Sequence, residues 1–521
     1  MLALQKLGKQ SMKIAANQQV RNFIVSKPQV RISFAALLGS QLVITLIMVS
    51  VIQKLGSHFS LGKWILCSTG LKRFLYPTDQ ELRALVGYPK DKHKKNKNHA
   101  NGHSSETFQI PRNLDVTLET VPVTASDIVY LKFYTDFQWM FDFAIYGVLV
   151  YTMTEVYNKF YPIKDEINLS MVWCCLVLVF AFKVLILLWV QYFKGEESIG
   201  ERSTCIVTGF VYLLISMMIL IVDENTLELG LDNAYSSFNH TASIFLSKQN
   251  FSSSGPASKL IVKFSFAVFC GFVGSLFTFP GLRVSRMHWD TLKYYKDNKF
   301  ILLLTNISYV SPLILTCLWI KPISRDYLTE RIFSGMTEPI MTPTTFESMR
   351  LIVIIIAILL KIVLMPIYLQ SYLNLANQRL EMQKKEAGKI SNKEFQKKIA
   401  AVFYYLCVVA LQYITPLIIL LYCTLMYKTL GGYSWEGIYK SVDFEECPAP
   451  EPLEDIKSTI VNGEIEADVA QDIAAALFSV KQIFTAEIFR GIFGLATWWT
   501  LFTLFATTAL GMVYQSYFTN V

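Results

Sequence analysis

Five ionisable residues stand inside long apolar runs: Asp142 and Glu155 in one run, and Lys183, Lys263 and Lys361 in three others. A charge in hydrocarbon is costly, so such residues face a bundle interior, pair with one another, or line an ion or proton path. Asp142 and Glu155 are thirteen residues apart, about 20 Å along a helix and on different faces, so they cannot work as a carboxylate pair. Asp142 and Lys183 lie at about the same distance from the tight turn at Tyr161, Pro162 and Ile163. Antiparallel neighbours joined by that turn would hold them at one depth, which predicts an ion pair. Three readings are open for these charges: pairs that lock helices together, a path lined by Asp142, Lys183 and Lys361, or snorkelling of Lys263 and Lys361 to the interface.

Enzymatic chemistry finds less support. The six histidines (His58, His93, His99, His103, His240 and His288) read as loop residues, and none stands at metal-ligand spacing. No P-loop, GxSxG or HExxH string occurs. The expectation is therefore no catalytic residue, no metal, no cofactor and no soluble small-molecule substrate. The nine cysteines are scattered, most of them in apolar runs (Cys174, Cys175, Cys205, Cys270, Cys317, Cys407 and Cys423), with no CxxC pair. They read as small packing residues. No loop carries a basic and aromatic nucleic-acid motif, so nucleic acid is not expected as a partner.

The elements that must position these residues are membrane spans. Of 521 residues, 53% are hydrophobic and 17% charged, against about 25% charged in a soluble domain. The expected fold is all-α, a polytopic integral membrane bundle of about nine transmembrane helices at 32–52, 137–157, 168–192, 204–222, 260–282, 300–320, 351–373, 399–427 and 484–514. Each is long enough for roughly 30 Å of hydrocarbon at about 1.5 Å per residue. Pro312, Pro366 and Pro416 interrupt three of them, where kinks are expected. Gly271 and Gly274 give the fifth span a small-residue face suited to helix contact.

The segment 374–398 orients the bundle. It holds Arg379, Lys384, Lys385, Lys389, Lys393, Lys397 and Lys398 against Glu381, Glu386 and Glu394, which places it in the cytoplasm. The basic segments 53–136 and 283–299 then fall on the same side. Segment 223–259, with sequons at Asn239 and Asn250, segment 321–350 and the acidic segment 428–482 fall on the lumenal or extracellular side, where glycosylation occurs. Two features run against this scheme: the basic N-terminal extension 1–31, and the 321–350 loop with Lys321, Arg325 and Arg331. The extension has a transit-peptide composition, but the apolar run after it is long for a secretory signal. The expected location is the endoplasmic reticulum or plasma membrane.

Several longer strings carry a resemblance. They are QLVITLIMVSV from Gln41, PTDQELRAL (Pro77–Leu85), QWMFDF around Asp142, TEVY around Glu155, GERS (Gly200–Ser203), TFPGLR (Thr278–Arg283), KPISRDY (Lys321–Tyr327), KKEAGKIS (Lys384–Ser391), FYYLCVVALQYITPL (Phe403–Leu417) and KTLGGYSW (Lys428–Trp435). Through these the chain resembles the transmembrane protein 161 family, with its A and B paralogues, from about Gln41 nearly to the C-terminus. The resemblance implies a multispanning membrane protein that regulates calcium and potassium currents or calcium handling, and so membrane excitability and cardiac-type rhythm. It implies an ion channel or pump as partner and assigns no catalytic roles. The other reading is an ion transporter or channel in its own right, with Asp142, Lys183 and Lys361 along its path.

Overall fold

The structure is a computed structural model. It describes residues 59–78, 109–110, 118–160, 168–194, 199–248, 258–335, 338–385, 390–435 and 484–519, with Glu81 and some of 43–56. Among the described residues the regular elements are helices, apart from two antiparallel two-stranded pairings. Strand β1 (Lys72–Phe74) pairs with β3 (Thr120–Pro122), and β2 (Gln109–Ile110) with β4 (Ile390–Ser391). Contacts divide the chain into two compact units, Met1–Leu61 with Trp139–Val179, and Gly62–Gln138 with Phe180–Val521.

Among the described residues, seven helices are long and apolar enough to cross a membrane: Leu169–Phe193, Gly200–Ile221, Lys259–Tyr294, Lys299–Cys317, Pro343–Met382, Asn392–Leu430 and Ala486–Tyr517. Two further spans were expected. One falls within helix α2 (Tyr134–Phe160), whose 27 residues are long enough but include Asp136, Asp142, Glu155, Lys159 and four tyrosines. Of the other, at 32–52, residues 45–52 are helical and most of the remainder lies outside the described residues. The protein is thus polytopic, with about seven to nine crossings.

In the first unit, Trp139 of α2 stacks on Phe143 at 5.2 Å, and Phe143 meets Trp173 at 5.7 Å. Trp173 belongs to α3 (Leu169–Lys194). Thr152 and Thr154 donate to the carbonyls of Val148 and Val150 at 2.6 and 2.9 Å, so their hydroxyls need no partner outside the helix.

The second unit is built from α4 (Ile199–Ile221), α5 (Leu231–Lys248), α6 (Lys259–Tyr294), α7 (Lys299–Cys317), α8 (Pro343–Leu373), α11 (Leu406–Leu430) and α12 (Ala486–Thr519). Between α8 and α11 lie α9 (Leu375–Lys385) and α10 (Asn392–Tyr404). Contact pairs fix the helix directions. Trp189 and Ser275, and Phe182 and Phe269, set α3 parallel to α6. Ser216 with the Ala267 carbonyl, and Ser275 with the Cys205 carbonyl, set α4 antiparallel to α6. His288 with Tyr368, and Thr291 with Ser371, set α8 parallel to α6. Tyr309 with Phe505, and Trp498 with the Thr316 carbonyl, set α7 antiparallel to α12. Consecutive long helices therefore alternate in direction, as consecutive crossings must.

Helix α6 is the spine. At 36 residues it runs through Pro280 and takes in most of the 283–299 segment expected as a loop. The reason is in its small and polar stripe: Gly271, Gly274, Ser275, Thr278, Gly281, Ser285 and His288 are all buried, a helical period that carries on past Arg283. Without driving force from water, helices in lipid gain by close backbone approach. A Cβ on Gly271 would lie 3.0 Å from Leu213 Cβ, and one on Gly274 would enter the Tyr212 ring, both residues of α4. Gly281 and Ser285 face Thr507 and Gly511 of α12 in the same manner. Helix α12 buries a threonine stripe, Thr497, Thr500, Thr503, Thr507 and Thr508, and four of them (Thr500, Thr503, Thr507 and Thr508) donate to the carbonyl four residues back.

The other expected loops also carry helices. Helix α5 occupies 231–248 of the 223–259 segment, and α9 and α10 fill much of 374–398. There Arg379 donates to the Lys398 carbonyl at 3.0 Å, which folds α10 back on α9.

At one end of the bundle an ion network gathers five segments. Arg350, with no exposed side chain, bonds Glu347 and donates to the Tyr427 hydroxyl at 3.0 Å. Its guanidinium lies 4.5 Å from the Trp319 ring centroid and 3.6 Å from Glu228. Arg325 bonds Glu228 and lies 3.6 Å from Glu347. Tyr427 meets the Tyr433 hydroxyl at 3.1 Å, and Arg490 of α12 sits over the Tyr433 ring and donates to the Gly431 carbonyl at 2.5 Å. The two arginines at its centre thus meet two glutamates, and the positive charge of Arg325, at odds with the side expected for 321–350, is neutralised locally.

Two outcomes follow for stability. Arg350→Met leaves the buried Glu347 with only the more distant Arg325 and is expected to cost about 3–5 kcal/mol; Arg350→Lys, lacking the planar fork, should recover little of it. Thermal unfolding followed by size-exclusion chromatography in detergent reads both. Gly274→Leu should lower the same midpoint through overpacking, by about 1–3 kcal/mol, and Tyr212→Ala in the same chain should restore part of the loss.

Candidate functional site

Three helix-interior prolines line one cavity. Pro280, Pro312 and Pro416 stand around a space of about 30 Å³, room for a water or two. Its polar wall is made by Ser285, His288, Ser308, Tyr309, Lys361, Tyr368, Gln412, Tyr413 and Thr508, drawn from five helices. Each arrives there for a local reason. A proline interior to a helix removes one amide donor and bends the chain, and the bends open room where polar side chains can meet.

Lys361 lies eighteen residues into α8, about 27 Å from its start. Its ammonium donates to the Ser308 carbonyl and lies 3.4 Å from the Ser308 hydroxyl. Among the described residues no carboxylate pairs with it. The Lys361 carbonyl accepts from Tyr413 at 2.7 Å, which ties α8 to α11. His288 Nδ1 lies 3.0 Å from the Tyr368 hydroxyl, and its ring stacks on Tyr309 at 4.9 Å. The Gln412 amide donates to Tyr192 at 2.8 Å. Gln412 Oε1 and Ser285 Oγ are buried with no hydrogen-bond partner. The site therefore offers a fixed cation, an unmet acceptor and an unmet hydroxyl, which suits water or a small anion better than a bare cation.

The other expected site residues do not line this cavity. Asp142 and Glu155 are half-buried in the first unit. There Asp142 acts electrostatically on Tyr146, one turn on, and Glu155 on Cys174. Lys183 is exposed and belongs to the second unit. Lys263 binds Asp232 at 2.8 Å and donates to the Leu220 carbonyl at 3.0 Å. Gly271 and Gly274 face the chain's own α4, so that small-residue surface is taken up within the bundle. Asn239 sits half-buried on α5 rather than in a loop, with Thr241 of its sequon donating to the Ser237 carbonyl at 2.8 Å. Asn250 lies outside the described residues.

His288 is what sequence reasoning missed. It was read as a loop residue, but it is a buried residue of α6, as His240 is a residue of α5. The signal was present in the stripe Gly281, Ser285, His288, which keeps the spacing of the span before it. Among the described residues no group of three or more His, Cys, Asp or Glu could hold a metal ion.

Since no carboxylate among the described residues pairs with Lys361, its replacement should be mild. Lys361→Met is expected to hold the thermal midpoint within about 3 °C of the parent or raise it, whereas Lys361→Glu, with no cation supplied by Ser308 or Tyr413, should lower it. Comparison of the two variants in detergent checks this.

A family model described as "Predicted transmembrane protein 161AB" matches residues 36–519. No solved structure matches the chain.

Proposed function

The chain belongs to the transmembrane protein 161AB family, and from that premise we propose that this multispanning membrane protein regulates calcium or potassium currents, or calcium handling, by contact with a channel or pump of the endoplasmic reticulum or plasma membrane. One observation carries the choice of regulator over conductor. The polar cavity of the second unit is about 30 Å³ and holds the ammonium of Lys361 without a carboxylate among the described residues. Cation filters use rings of carbonyl or carboxylate oxygens; a fixed positive charge in so small a cavity repels the ion it would have to pass. Contact with a partner falls instead to apolar sides such as the stripe Val207, Phe210, Leu214, Met218 and Ile221 of α4, all exposed. Effects on excitability and cardiac-type rhythm would follow from the altered currents.

A second reading, transport of an ion by the protein itself along Asp142, Lys183 and Lys361, draws on the unmet polar atoms that share the Lys361 cavity. Purified protein in liposomes separates the two. The expected outcome is no calcium or potassium flux from folded protein, together with changed calcium or potassium current amplitude in cells when its level is raised or lowered. Autonomous flux that Asp142→Asn or Lys183→Met abolishes, in variants that remain folded, would overturn the regulatory reading.

A further inference from the structure

A second cavity, of about 170 Å³, opens at the starts of α5, α6 and α12, far from Lys361 in character. Its walls are apolar, among them Tyr235, Phe238, Val262, Phe266, Phe484 and Ile492. Two lysines stand at its rim. Lys263 makes two contacts, with Asp232 at 2.8 Å and the Leu220 carbonyl at 3.0 Å. Lys259 makes one contact, with Asp232 at 3.1 Å, and its side chain is 48% exposed. An ammonium has three donors, so Lys259 keeps two to offer. Glu224, which borders a neighbouring small cavity with Asp232 and Lys263, accepts from the backbone amide of Asp232 at the start of α5. Among the described residues the two lysines therefore outnumber the one carboxylate that bonds them.

The three helix starts lie at one end of a membrane bundle, where hydrocarbon gives way to headgroups. An apolar cavity there is a poor place for water, and its walls offer a polar solute nothing to bond. A ligand that suits both the walls and the rim has an acyl chain and an anionic group side by side.

We propose that this cavity holds one acyl chain of an anionic phospholipid whose phosphate is bound by Lys259. The site is independent of the regulatory reading above. Lipid exchange there would act on α5 and α12 together, since both supply its walls.

The test uses the full chain, reconstituted into vesicles of phosphatidylcholine and phosphatidylglycerol in equal parts, extracted into mild detergent and weighed by native mass spectrometry. One retained phosphatidylglycerol per chain is expected, in preference to phosphatidylcholine. Ile492→Trp, which fills the cavity, should lose it, and Ile492→Val should keep it. Lys259→Gln should keep a lipid but reduce the preference for phosphatidylglycerol about fivefold. Equal retention by Ile492→Trp overturns the acyl-chain assignment, and an unchanged preference in Lys259→Gln overturns the phosphate assignment. Lys259 is on the exposed rim, so that second comparison stands even where Ile492→Trp does not fold.

Discussion

A guanidinium wholly withdrawn from solvent sets the terms for this structure. Arg350 cannot shed its charge, and an unpaired ion away from water costs several kcal/mol. Every segment around it answers that demand. Glu347 comes from the same helix three residues earlier, Glu228 from the connection before α5, Trp319 from the end of α7, and Tyr427 from the end of α11. Each of these residues lies at or beyond the end of a long helix. The network therefore fixes where helices stop relative to one another, which apolar packing between smooth lipid-facing rods does poorly. Arg490 extends the same control to α12 through Gly431 and Tyr433.

Along the length of the bundle the constraint is closeness. The small residues of α6 admit α4 on one side and α12 on the other, and tryptophan and serine donors bond carbonyls across both contacts: Trp499 to Cys270 at 2.9 Å, and Ser275 to Cys205 at 2.9 Å. Four threonines of α12 (Thr500, Thr503, Thr507 and Thr508) satisfy themselves on their own backbone, so they lend polarity to the packing without asking for partners. Where prolines break this closeness, on α6, α7 and α11, the cavity beside Lys361 appears. Gly281, close against Thr507, and Pro280 beside it both border that cavity, so the packing stripe and the site adjoin on α6.

Helix existence was legible in the sequence because hydropathy over twenty residues is a strong signal, and the family resemblance was carried by strings long enough to be specific. Helix ends were not. The 283–299 segment was read as a loop on its basic residues, yet Ser285, His288 and Asp290 keep a helical period on the buried side. Charge counting saw Arg283 and Arg286 and missed the face opposite them. The sequence also marked Lys361 as unusual without indicating its surroundings, because Ser308, Tyr413 and His288 come from three other helices. Arg350 was passed over as the last residue of a mixed loop, since nothing local shows that Glu228, 97 residues before Arg325, closes the network around it.

That separation has a bearing on how the protein is made. As the chain enters the membrane from its N-terminal end, the insertion machinery reads Arg325 and Arg350 as free cations, for loop charge is sensed before tertiary pairing exists. Glu228 is already in place by then, but Tyr427 and Arg490 are still to be synthesised. Before then Arg350 has Glu347, Glu228 and Trp319 at hand, and what is missing is the Tyr427 hydroxyl and the link through Arg490 to α12. A nascent chain stalled before residue 427 would hold its arginines and glutamates with the last two long helices not yet tied to them, a mark of incompleteness that the finished fold erases.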